Sequence, residues 1–145
     1  ENLKKRGFII LKKKISDQSI YSELEIERIS VRLEATFQKI PGVICDYEMS
    51  DGNFIPIYSL TAEQFLTEKI NTYLKRFKVR DLWDIFFLLR IIKNPDKIKE
   101  LGKLINNYKK PADESDLKAI LLEGIIPSTK EMIEYIKRKW EKKYI

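Results

Sequence analysis

The chain has no histidine, which removes imidazole acid–base chemistry, histidine metal sites and Ser-His triads from its 145 residues. Its single cysteine, Cys45, excludes a disulfide framework and fits a reducing cytosol. No apolar run approaches a membrane span, and no signal peptide is visible. Nor does any internal repeat or low-complexity segment stand out. Charge, by contrast, is abundant. Lysine and arginine are spread throughout, the formal net charge is +6 and the pI is about 9.3. That balance permits a polyanionic partner without demanding one. The wealth of Lys, Glu and Ile fits either a thermophile or a low-GC coding bias. The length suits one domain, or a domain with a helical appendage, and allows a sound core.

The most informative stretch is Leu60–Ile92, LTAEQFLTEKINTYLKRFKVRDLWDIFFLLRII. Thr61 followed three residues later by Gln64 is a capping box, so a helix starts here. Ala62, Phe65, Leu66, Lys69, Ile70 and Tyr73 then recur at helical spacing on one face. Lys69 interrupts this apolar stripe. Either it lies at the stripe's edge and extends its amine to water, or it points into a cleft and binds an anion or carboxylate.

A second helix is expected over 78–92, opening with Lys78-Val79-Arg80-Asp81. Asp81 and Asp84 are three apart and share a face in the first turns, where the macrodipole favours acids. Leu82, Trp83, Ile85, Phe86, Phe87, Leu88, Leu89, Ile91 and Ile92 wrap most of the rest, predicting a helix buried nearly all round. Acids at the mouth of such a helix need partners, and Lys69, Arg76, Lys78 and Arg80 are within reach along the chain. One outcome is a buried structural pair between Lys69 and Asp81.

The pattern Glu68-Lys69, about a dozen residues, then Arg80-Asp81-Leu82-Trp83-Asp84-Ile85 resembles the AbiEii family of nucleotidyltransferase toxins. These polymerase-β-like enzymes include toxins of abortive-infection and type IV toxin–antitoxin systems. The resemblance follows the family's order of elements over residues 7–92. It implies that Lys69 contacts nucleotide phosphates, that Asp81 supports the active site, and that Arg80 and Asp84 lie on the substrate side. It further implies an NTP substrate, an RNA acceptor such as tRNA, a cognate antitoxin and a Mg²⁺ cofactor. The family's Gly-Ser or Gly-Gly pair and its metal-binding Asp-x-Asp do not occur among these residues. The expectation is a piece of a longer protein, or a remnant without catalysis, with little or no turnover by itself.

Upstream, a helical turn ends at Gly7, and 8–15 is strand-like. Residues 16–22 read as a polar connection. Residues 25–37 alternate with period two, Ile29, Val31, Leu33, Ala35 and Phe37 facing one way. Ile40-Pro41-Gly42 is a turn and Val43–Met49 another strand, so a hairpin of these last two strands is expected. Asp46 and Glu48 share one face of the second. A solvated polar side explains them as well as chemistry does; the resemblance makes either one the candidate third acid, a metal ligand or base. Ser50-Asp51-Gly52-Asn53 is a strong turn leading to Phe54–Tyr58.

Beyond Ile92, Asn94-Pro95 starts a helix with Ile98, Leu101, Leu104, Ile105 and Tyr108 inward, broken at Lys109-Lys110-Pro111. A short helix follows over Asp116–Glu123. The last opens with a second capping box around Ser128 and Glu131. Its inner face is Met132, Ile133, Ile136 and Trp140; Lys130, Lys137, Arg138, Lys139, Lys142 and Lys143 form the other. That basic face, with Trp140 and Tyr144 nearby, could contact nucleic acid, which is the basis for the alternative of a non-catalytic RNA- or partner-binding module. The expected fold is α+β: a small, mostly antiparallel sheet in 1–59, the second half of a nucleotidyltransferase palm, followed by a five-helix domain in 60–145.

Overall fold

The computed structural model describes residues 2–37, 39–121, 124 and 126–141. The fold is α+β and divides into two compact units, 1–41 and 42–145, so the second strand hairpin belongs with the helices.

In the first unit a helical turn, α1 (Asn2–Lys5), precedes three strands: β1 (Ile9–Ile15), β2 (Ser19–Ile26) and β3 (Ile29–Thr36). They form an antiparallel sheet in that order. Residues expected as a polar connection therefore begin β2. The β1–β2 reversal is tied by Ser16, whose hydroxyl accepts the Ser19 N–H at 3.0 Å. The β2–β3 turn is Glu27-Arg28, with φ of 50° and 67°. Two left-handed residues joining paired Ile26 and Ile29 give the primed geometry that matches strand twist. This turn lacks glycine and asparagine, so the sequence reads straight through it as one strand.

The second unit opens with β4 (Val43–Glu48) paired antiparallel to β5 (Phe54–Ser59). The expected pairing of β3 with β4 does not occur. The better turn lies between β4 and β5: Gly52 takes φ 81°, and Asp51 accepts the Asn53 backbone N–H at 3.0 Å. A strand with a free edge tolerates Pro56.

Among the described residues five α-helices follow: α2 (Ala62–Arg76), α3 (Val79–Ile91), α4 (Lys99–Asn106) after a 3₁₀ turn at Pro95–Lys97, α5 (Leu117–Ile120) after a 3₁₀ turn at Glu114–Asp116, and α6 (Thr129–Glu141). The Thr61–Gln64 capping box forms in both directions, at 2.8 and 3.3 Å. Leu66, Ile70 and Tyr73 of α2 meet Leu82, Ile85 and Leu89 of α3, Leu101 and Leu104 of α4, and Met132, Ile133 and Ile136 of α6 in one core. Phe86 meets Tyr135 edge-on at 5.0 Å, joining α3 to α6. Trp140 packs over Gly102, where an added Cβ would sit 3.3 Å from the indole.

The segment after α4 ties three helices together. The Tyr73 hydroxyl donates to the Lys109 carbonyl at 2.6 Å. Asp113 accepts the Val79 N–H at the start of α3 at 2.9 Å. Glu114 accepts the backbone N–H and hydroxyl of Thr129 at the start of α6, at 2.9 and 2.7 Å. Hydrogen bonding from Lys110, then from Thr129, pulls Glu114 down to about 2 from an ordinary 4.5. Its stabilisation is thus fully present above the unfolded value and disappears as pH falls through the folded one. Glu114→Gln should lower stability at neutral pH by about 1 kcal/mol, as loss of a helix cap does. The gap in melting temperature from wild type should close as pH falls from 4.5 towards 2. A gap that persists in acid would show that the carboxylate charge is not what holds α6.

Candidate functional site

The α2–α3 hairpin places the residues singled out by the motif. Two residues connect the helices. Phe77 adopts φ 49° and donates its N–H to the Tyr73 carbonyl at 2.7 Å, ending α2; Lys78 then starts α3. Asp113 fixes that start from a third segment. Burial alone would raise its carboxyl, but the Val79 N–H and the Lys78 ammonium outweigh burial and hold it below the ordinary value.

Asp81 is completely buried and bound by Arg76 in a two-pronged pair. Arg76 Nε meets Oδ2 at 2.6 Å and Nη2 meets Oδ1 at 2.7 Å. Hydrogen bonding to Asp81 raises the guanidinium above its ordinary value despite opposing burial, with help from the charges of Asp81, Asp84 and Asp113, so Arg76 stays protonated. Lys69 meets Asp84 instead, Nζ to Oδ2 at 2.5 Å, with side chains 37% and 38% exposed. The Lys69–Asp81 pair, one of the outcomes the sequence allows, therefore does not form, and two rungs join the helices instead. Helical spacing explains this. Arg76 sits at the turn end of α2, beside the first turn of α3, whereas Lys69 is two turns back and meets α3 one turn further along.

Lys69 and Asp84 border an open cleft of about 500 Å³, walled by Phe65, Trp83, Phe87, Leu88 and Leu121. The expectation of an α3 buried all round fails here: Phe87 is 50% and Ile91 61% exposed. The core takes Val79, Leu82, Ile85 and Leu89, leaving the face of Phe87 and Ile91 without a covering element among the described residues. Lys69 thus borders the cleft with its ammonium on the Asp84 carboxylate, and its side chain also reaches solvent. The family model for the nucleotidyl transferase AbiEii toxin of type IV toxin–antitoxin systems matches residues 8–142. The chain belongs to the AbiEii nucleotidyl transferase toxin family. No curated protein and no solved structure matches it.

Membership of a toxin–antitoxin family implies an antitoxin partner for this AbiEii chain. Its remaining motif residues take no part in the two rungs. Arg80 is exposed on the first turn of α3. Asp46 and Glu48 stand exposed on β4, opposite Pro56 and Phe54. Among the described residues no three His, Cys, Asp or Glu side chains are grouped to hold a metal ion. Arg76 and the aromatic walls were not among the expected site residues; the signal for Arg76 was its spacing of seven, two turns, from Lys69. On α6, Lys130, Lys137 and Arg138 are exposed but interleaved with exposed Glu131, Glu134 and Glu141, while the Lys139 amine lies over the Tyr135 ring at 5.5 Å. Glu123, Lys142, Lys143 and Tyr144 lie outside the described residues. No helix among the described residues is long and apolar enough to cross a membrane.

Proposed function

We propose that this chain carries the nucleotide-holding part of an AbiEii nucleotidyl transferase, which moves a nucleotide from an NTP to an RNA acceptor such as tRNA. The observation that supports it most is Lys69, an ammonium held at the lip of an aromatic-walled cleft by one half-exposed carboxylate. In that reading Lys69 exchanges Asp84 for the nucleotide phosphates. Two unit charges about 4 Å apart interact by roughly 4 kcal/mol near a protein surface, so a polyphosphate outcompetes a single carboxylate. Phe65, Trp83 and Phe87 offer flat apolar faces to a base, and Arg80 adds an exposed cation on the same helix. Lys69 would then stabilise the charge that grows on departing pyrophosphate.

Asp46 and Glu48, exposed on one strand without a third ligand grouped with them among the described residues, do not make a metal centre by themselves. Magnesium enters the proposal only as a cofactor of the intact protein. The test is to incubate the intact protein with each α-labelled NTP and total RNA. Label appearing in RNA is expected. No label with any NTP, in a preparation that binds its antitoxin, would overturn the enzyme reading in favour of a non-catalytic module.

A further inference from the structure

We infer that Arg76 is a positioning residue for the nucleotide site and that Asp81 is its anchor, without contact to nucleotide, metal or acceptor. This rests on the proposed role of Lys69. The side chain of Asp81 has no exposed surface, and each of its oxygens takes a hydrogen bond from Arg76. A carboxylate so enclosed has no face left for a substrate. Neither Asp81 nor Arg76 lines the cleft.

The two-residue connection and the core set the register of α3 against α2; the pair locks it at the first turn of α3. Lys69 precedes Arg76 by seven residues, about 10 Å along the helix, and Asp84 follows Asp81 by three, about 4.5 Å. The two rungs therefore share the facing sides of one hairpin. A bidentate guanidinium–carboxylate pair fixes direction as well as distance. A slip of one residue moves α3 by about 1.5 Å. That would pull Asp84 out of hydrogen-bond range of Lys69, now 2.5 Å away, and re-aim the ammonium. Asp113 holds the start of α3 through Val79 and Lys78, Leu82, Ile85 and Leu89 hold its inner face in the core, and the Arg76–Asp81 pair adds a directional contact between that start and the Lys69–Asp84 pair.

The experiment is titration of inorganic pyrophosphate into the intact protein, followed by calorimetry, below the lowest melting temperature of the set. Arg76→Met should weaken binding about tenfold, the scale expected when a ligand-holding group is displaced by an ångström or less. Arg76→Lys keeps the charge and one hydrogen bond to Asp81, so it should bind about threefold more weakly than wild type, between wild type and Arg76→Met. Should the methionine variant not fold, Arg76→Lys still has to show that intermediate loss. Wild-type affinity in whichever Arg76 variants fold, alongside loss of binding in Lys69→Ala, would reduce Arg76 to a purely structural role. Arg76→Lys no better than Arg76→Met would exclude action through Asp81. Unchanged binding in Lys69→Ala would overturn the nucleotide reading itself, a different result from either.

Discussion

Arg76→Met is expected to lower the unfolding free energy by about 3–5 kcal/mol, the range for breaking a buried ion pair from one side. The converse change, Asp81→Leu, should cost much less, about 1–2 kcal/mol. The difference comes from where each charge goes when its partner is gone. Arg76 is 41% exposed, so without Asp81 its guanidinium can turn to water. Asp81 has no exposed surface and cannot. Replacing both, Arg76→Met with Asp81→Leu, should return stability to within about 1 kcal/mol of wild type, because no buried charge is left and the apolar side chains fill similar volume. Denaturant unfolding of the four proteins gives the cycle. Equal losses in the two single variants would show that the pair is not asymmetric in burial as described.

Most of what was legible in the sequence was local. The capping box at Thr61 and Gln64, the apolar stripe of Leu66, Ile70 and Tyr73, and the second box at Ser128 and Glu131 depend on residues within four positions of each other, and all form as expected. The motif around Lys69 and Asp81 pointed to the family, and the family model confirms it over residues 8–142. What failed was partner choice. β3 could pair on either side, and alternation alone does not say which strand it meets; the Glu27-Arg28 turn decided it, with neither glycine nor asparagine to mark it. Likewise the sequence offered four cations for two aspartates. Their assignment depended on the two-residue connection at Phe77 and Lys78, whose tightness sets which turn of α2 faces which turn of α3.

The exposed side of α3 failed for another reason. An unbroken apolar run predicts burial on all sides only if there are enough elements to surround it. Here α2 and α6 pack on the face of Leu82, Ile85 and Leu89, and the opposite face opens on the Lys69 cleft. A run of this kind marks either a central helix or a helix with a working apolar face, and composition does not separate the two.

Lys69→Ala should reverse the pattern of Arg76→Met. Stability should change by less than about 1 kcal/mol, because the Lys69–Asp84 pair is more than a third exposed and both charges can be hydrated when parted. Nucleotide transfer should fall by about 10²–10³, the loss typical when one group stabilising transition-state charge is removed. Lys69→Arg should recover only part of it, since a planar fork replaces a compact ammonium at a lip shaped by Phe65 and Trp83. Steady-state kinetics with the preferred NTP, alongside melts of the same samples, separate the alternatives. A variant that melts several degrees lower and keeps its transfer rate would make Lys69 a structural cation. Two ion pairs on one hairpin, similar in length and differing in exposure, are thus expected to lead to opposite losses: stability for the enclosed one, nucleotide transfer for the open one.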